Sequence, residues 1–222
     1  RARVAERARR LTKEAGFADK ARALQADPDF RAGDEANLLL RKNYQALGSV
    51  RREDRSRALD LLGFASQLVF TTDALGNYGL EACDDPAFAV QLARAHNRMM
   101  VDYCAVDRRL LPTAYVPLID RASVLDVARE AIALGCKGLM IPSRHPGYAH
   151  SHVELEPLWA LAQEAGLPIL FHVGGEEKMA PAYRDNGRPQ VLDFHGGAEN
   201  FTGLTYMAIP LSIWQTLSVL VM

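Results

Sequence analysis

From residue 67 onward, short apolar runs alternate with helical patterns at a spacing of about 25 residues. The runs are Gln67-Leu68-Val69-Phe70, Thr113 to Leu118, Lys137 to Ile141, and Pro168 to Leu170 leading into Phe171-His172. None alternates strictly between apolar and polar residues, so both faces of each strand are expected to be covered. That is the pattern of a parallel sheet built from βα units. Four such units fit the chain, and a closed barrel needs eight. The expected class is α/β, a partial (β/α)8 TIM-like barrel with a helical N-terminal segment. An open doubly wound sheet is the alternative, but no glycine-rich phosphate loop follows any strand.

Local punctuation supports the repeat. Asp54 is placed to cap a short helix through Leu62. Asp84 or Asp85 precedes Pro86, a good first-turn residue, and opens a helix to about Val106. Phe88, Leu92, Ala95, Met99 and Tyr103 recur along it at helical spacing. Asp120 caps a helix whose expected inward stripe is Val124, Ala128, Ala131 and Leu134, with Gly135 ending it. A further helix over 154–165 ends at Gly166.

The N-terminal part differs. Residues 1–57 hold 15 Lys/Arg against 9 Asp/Glu, whereas the remainder holds 11 against 18. Residues 1–15 read as a basic helix and 36–47 as another, so 1–60 is expected to be a basic helical segment and 61–222 the barrel portion. The basic end would be solvated, or would contact an acidic partner or its own protein. A formal net charge of -1 gives no sign of nucleic-acid binding. Residues 200–222 carry no formal charge over 23 positions, long enough to cross a bilayer. Asn200, Thr202, Pro210, Gln215 and other polar residues dilute that run, and a buried helix is expected instead of a membrane span. Cys83, Cys104 and Cys136 show no short spacing, so they are expected to pack as small apolar residues in a reducing, cytoplasmic setting. A chain opening at Arg1 within a helical pattern and closing at Met222 in an apolar run reads as a portion of a barrel. Its open edges would be covered by further chain, a partner, or another copy in a homo-oligomer.

Candidate chemistry gathers where strands end. His172 interrupts an apolar run just before Gly174 and Gly175, as a strand does when it delivers an imidazole to a pocket at its carboxyl end. His195 is likewise followed by two glycines. It could act as general acid or base, with Glu199 and Asn200 brought to a substrate by the same loop. Arg144 suits an anionic substrate, as do Lys178, Arg184 and Arg188. Asp73, at the end of the first run, could bind substrate or hold a catalytic histidine. His150-Ser151-His152 has the spacing of a metal-ligand pair, but it follows a Ser/Pro/Gly stretch where surface exposure would make it solvent decoration.

Several motifs together resemble the amidohydrolase superfamily, specifically the amidohydrolase-related branch that includes aminocarboxymuconate-semialdehyde decarboxylase and related aromatic-acid decarboxylases. They are Ala114-Tyr115-Val116-Pro117-Leu118 before Asp120, Gly135-Cys136-Lys137-Gly138, Pro157-Leu158-Trp159, and Ala165-Gly166-Leu167-Pro168-Ile169. The strongest are Phe171-His172-Val173-Gly174-Gly175 and Phe194-His195-Gly196-Gly197-Ala198-Glu199-Asn200-Phe201, leading to Tyr206-Met207-Ala208-Ile209-Pro210. The resemblance runs from about Leu61 to Met222. It implies a distorted barrel with a divalent metal, zinc first and manganese second, at its carboxyl face. It also implies hydrolysis of a small, anionic or aromatic substrate, with non-oxidative decarboxylation as the alternative. In that family a first-strand histidine pair, a middle-strand histidine and a last-strand aspartate hold the metal. His172 matches the middle-strand histidine, and the other three ligands have no counterpart in this sequence. One ligand does not make a catalytic metal site. The segment by itself is therefore expected to show little metal-dependent turnover, and an inactive binding or structural role is the further alternative.

Overall fold

Four parallel strands form in chain order where the apolar runs stand, giving the sheet β1-β2-β3-β4. The computed structural model describes residues 15–38, 46–49, 51–70, 80–142 and 150–172. The elements are α1 (Ala15–Ala26), α2 (Pro28–Ala36), α3 (Arg55–Leu62), β1 (Gln67–Val69), α4 (Pro86–Cys104), β2 (Leu110–Tyr115), α5 (Arg121–Ala133), β3 (Gly138–Pro142), α6 (Glu156–Glu164) and β4 (Ile169–His172). Single 3-10 turns cover Arg52–Asp54, Leu80–Ala82 and Val153–Leu155. The sheet curls as half a barrel with helices on its flank, the expected α/β architecture. The expected helices over 1–15 and 200–222, and most of that over 36–47, lie outside the described residues. Among the described residues no helix is long and apolar enough to cross a membrane.

Successive strand residues fall into different apolar clusters, as a pleat with period two requires. Ala114, Val116, Leu139 and Ile141, with Ile169 and Phe171, pack under Val124, Val127, Ala128 and Ala131 of α5 and Leu158 and Ala162 of α6. On the other face Tyr115 and Met140, with Leu170, meet Leu80, Ala89 and Ala93. Both faces are thus covered, which is why the strands read as unbroken apolar runs. A third cluster joins Leu59 of α3 to Val69, Met100, Cys104 and Leu110.

α5 and α6 stop by a shared device. Gly135 has φ 93° and Gly166 φ 64°, a backbone region where other residues are strained. At each, the next amide reaches back to a carbonyl of the last turn: Cys136 N–H to Ala131 O at 3.1 Å and Leu167 N–H to Ala162 O at 2.9 Å. Asp85 caps α4 by accepting from the Phe88 amide at 3.1 Å. Asp120 occupies the cap position of α5 but accepts from Ser123 Oγ at 2.6 Å instead of from a helix amide.

Two expectations are corrected here. The buried stripe of α4 is Ala89, Val90, Ala93, His96, Asn97, Met100 and Cys104. Phe88 is 40% exposed and Met99 49%, so the stripe drawn through the large apolar residues is turned off the true face. Leu134, expected to face inward, is also exposed.

Among the described side chains, α1 and α2 contribute none to the three apolar clusters. Asp27 opens α2 by accepting from the Asp29 and Phe30 amides, with Pro28 in the first turn. The pair is held by Gln25 Nε2 donating to Asp34 Oδ2 at 3.0 Å. Ion pairs tie it to the rest. Arg31 grips the buried Asp54 with Nη2 at 2.7 Å and Nη1 at 3.3 Å from its two carboxylate oxygens, and Arg57 Nη2 donates to Glu35 at 3.0 Å. The basic end thus spends these arginines on its own protein.

Candidate functional site at the carboxyl end of the sheet

β1 and β2 pair over only three residues, Gln67–Val69 against Leu110–Pro112. Farther along β2, Tyr115 takes its edge hydrogen bonds from a helix instead. The side chain is that of Asn97 on α4. Asn97 Nδ2 donates to Tyr115 O at 3.0 Å, and Asn97 Oδ1 accepts from Tyr115 N–H at 2.7 Å. The amide presents one donor and one acceptor, as a strand would, and satisfies both groups of a buried residue. His96 Nδ1 lies 3.1 Å from the same Oδ1, so that nitrogen carries the proton. Burial holds the His96 pKa below the usual histidine range, partly offset by this hydrogen bond, and keeps the ring neutral. Thr113 Oγ1 donates to Val69 O at 2.7 Å.

Beside Tyr115 lies Glu81, on the Leu80–Ala82 turn. Its Oε1 accepts from the Tyr115 hydroxyl at 2.8 Å and from Leu118 N–H at 3.1 Å. Burial pushes its carboxyl up to about 7, against the downward pull of Tyr115 and the Leu118 and Ile119 amides. Burial also raises the Tyr115 phenol, with the Glu81 charge adding to the rise.

A second grouping forms at β3 and β4. The register places Pro142 beside His172, the last residue of β4. His150 is buried, with Nε2 at 2.8 Å from Pro142 O, so that nitrogen donates. Its ring meets Phe171 edge to face at 5.2 Å. Burial lowers the His150 pKa despite the Pro142 carbonyl. His150 is therefore not the solvent decoration expected of it: a carbonyl 8 residues back and an aromatic ring on the next strand draw it in. His152 turns elsewhere, its Nδ1 accepting from Glu154 N–H at 3.3 Å.

The expected divalent metal, zinc or manganese, does not fit. Among the described residues no three or more His, Cys, Asp or Glu side chains form a group that could hold a metal ion. The physical reason is visible in the histidines. His96 is turned to an amide oxygen, His150 to a strand carbonyl and His152 to a helix-end amide, three separate places, whereas a catalytic site draws about three donors to one point. Cys104 and Cys136 are free and buried, and burial raises both thiols to about 11, so they stay protonated.

Of the residues singled out from the sequence, Asp73, Arg144, His195, Glu199 and Asn200 lie outside the described residues, and His172 is located as the end of β4. The sequence reading missed Glu81, His96 and Asn97. The one available signal was an adjacent His-Asn pair in the middle of an otherwise amphipathic helix. A cleft of about 510 Å³ lies at the other end of α4, lined by Arg22, Arg51, Arg52, Glu53 and Tyr103. Each arginine there is paired, Arg22 with Asp19, Arg51 with Asp54 and Arg52 with Asp102.

Comparison with known proteins agrees with this geometry. A family model described as amidohydrolase matches residues 45–209. The fold is similar to that of a crystal structure from Staphylococcus aureus, provisionally named an amidohydrolase, at a TM-score of 0.54 and 17% identity. The match covers 76% of this chain and 53% of that one, so this chain spans about half the length of the solved relative. At that identity the likeness speaks for the fold alone. No curated protein matches the chain at a significant level.

Proposed function

The chain belongs to the amidohydrolase family, and from that premise we propose that it forms part of a hydrolase acting on a small, anionic or aromatic substrate at the carboxyl ends of its strands. The supporting observation is that four parallel strands end on one side, with His172 closing β4 beside a Pro142 carbonyl held by His150. Barrel enzymes place their chemistry at that face. In this reading His195 takes a proton from the attacking water and returns it to the leaving nitrogen or oxygen, at the face where His172 ends β4. Arg144 pairs with the anionic group, and Asp73, Glu199 and Asn200 orient the reacting atoms. The three free cysteines suit a reducing, cytoplasmic setting.

The test is a panel of amides and esters of aromatic acids assayed with the full-length protein for hydrolysis and, in parallel, the free aromatic acids assayed for carbon dioxide release. Hydrolysis that falls roughly 100-fold or more in kcat for His195→Ala or His172→Ala, with the fold retained, supports the reading. Carbon dioxide release without hydrolysis replaces it with decarboxylation. Turnover that neither substitution changes removes both histidines from the mechanism, and no turnover at all leaves a binding protein.

A further inference from the structure

We propose that the arginine-lined cleft at the amino end of the sheet binds a small phosphate monoester. Three parts of the chain converge there. Arg22 comes from α1, Arg51, Arg52 and Glu53 from the 3-10 turn and the residue that precedes it, and Tyr103 from the last turn of α4. α4 ends at Cys104 and β2 begins at Leu110, so Tyr103 sets the cleft at the opposite end of the strands from His172. Its volume of about 510 Å³ is that of a small-molecule site. The cleft is separate from whatever reaction runs at the carboxyl ends.

The guanidiniums keep donors in reserve. Arg51 Nε stands 3.7 Å from Asp54 Oδ2, beyond hydrogen-bond reach, and Arg31 already holds both oxygens of Asp54. Among the described residues the Arg51 side chain donates no hydrogen bond. Arg22 spends Nη1 on Asp19 at 2.6 Å. Arg52 spends Nη1 on Asp102, at 2.8 Å to the carbonyl and 2.7 Å to the carboxylate, and its Nε lies 3.3 Å from Glu53 Oε1. The Asp19 and Asp102 side chains are 78% and 76% exposed, so those pairs stand in water and hold the arginines weakly. The donor excess continues behind the wall. The Tyr103 hydroxyl donates to Gly48 O, which fixes the ring at the cleft. Beside Gly48, Ser49 Oγ and Arg55 Nε are buried without a hydrogen-bond partner. Unspent donors are what an anion, and the water it brings, satisfies. Three guanidiniums against the Glu53 carboxylate leave the lining with two net positive charges. A phosphate monoester carries about 1.5–2 negative charges at neutral pH, and a guanidinium fork meets phosphate through two parallel hydrogen bonds. The Tyr103 ring gives the organic part of the ester an apolar surface. Glu53 is the lining group that opposes the anion. Because Arg22 belongs to α1, a bound ester also ties that helix to the body.

Titration of the full-length protein with phenyl phosphate tests it, at low ionic strength in a phosphate-free buffer and followed by NMR of the backbone amides. Saturable shifts at the Arg22, Arg52 and Tyr103 amides are expected. Arg51→Gln is expected to weaken binding at least about 5-fold, and Glu53→Gln to tighten it at least about 2-fold. Inorganic phosphate has nothing to set against the Tyr103 ring and is expected to bind at least about 3-fold more weakly than phenyl phosphate. No saturation by about 10 mM overturns the site. So do shifts centred on the Tyr115 and Phe171 amides with the cleft amides unmoved, which would put the ester at the carboxyl ends instead. Affinity that neither substitution changes overturns it as well, and equal binding of inorganic phosphate overturns the choice of an ester. Should Arg51→Gln not fold, Arg22→Gln on exposed α1 replaces it, with weakening again expected and unchanged affinity again overturning the site.

Discussion

Replacing Asn97 with leucine keeps most of the side-chain volume and removes both hydrogen-bonding groups. Three buried polar groups lose their partner at once: Tyr115 N–H at 2.7 Å, Tyr115 O at 3.0 Å and His96 Nδ1–H at 3.1 Å. Each buried group left unsatisfied costs about 1–3 kcal/mol, and the apolar gain from leucine returns about 1–2 kcal/mol. The expected net loss is about 1–8 kcal/mol, or a fall of at least roughly 2–4 °C in Tm for a chain of this size. Urea unfolding followed by circular dichroism measures it. A loss below about 0.5 kcal/mol would refute the reasoning, because it would mean that water already serves the edge of β2 beyond Val69. Asn97→Asp sharpens the test. The acceptor remains, but the donor to Tyr115 O exists only while the new carboxyl is protonated. Its folded pKa should therefore lie above the unfolded value of about 4. The variant should be most stable, relative to wild type, below that pH and lose ground as pH rises through the folded pKa.

Glu81 gives a linked stability prediction. Its pKa is raised on folding, so the stabilisation is full below about pH 4.5 and is lost as pH climbs through 7. Wild type should lose up to about 3 kcal/mol relative to Glu81→Gln between pH 4 and 8, by paired denaturant titrations, and parallel curves would contradict this. Leu158 is fully buried between α6 and the sheet, so Leu158→Ala should cost about 2–5 kcal/mol in the same assay. Gly135→Ala should cost about 1 kcal/mol or more although nothing lies within 4 Å of the added carbon, because φ 93° is what strains it.

The fold was legible because its signals are local. The spacing of apolar runs, Asp85 before Pro86, and the glycines at 135 and 166 each depend on neighbours within one turn. α1 and α2 were missed although Asp27-Pro28 is a helix-start signal of the same kind, and no apolar stripe followed it to draw attention. The face of α4 was misread for the opposite reason. The helix buries His96 and Asn97 because β2 needs their hydrogen bonds, while Phe88 and Met99 stay outside, and no periodicity of apolar residues records that exchange. His150 and Glu81 were illegible because their partners, Pro142 and Phe171 for one and Tyr115 and Leu118 for the other, come together only after the strands align. The expected metal failed at the same step: the resemblance nominated it through His172, but among the described residues no group of three or more ligands forms, and His96, His150 and His152 each have a different partner.

The ion pairs at Arg31 and Arg57 carry a consequence for handling the protein. Among the described side chains, α1 and α2 share no apolar cluster with the sheet and ion pairs join α2 to Asp54 and Arg57, contacts that dissolved salt weakens more than it does the apolar layers of the half-barrel. Raising ionic strength should then loosen the two leading helices first and leave the strands seated, so that proteases cut near the front of the chain well before they reach the sheet.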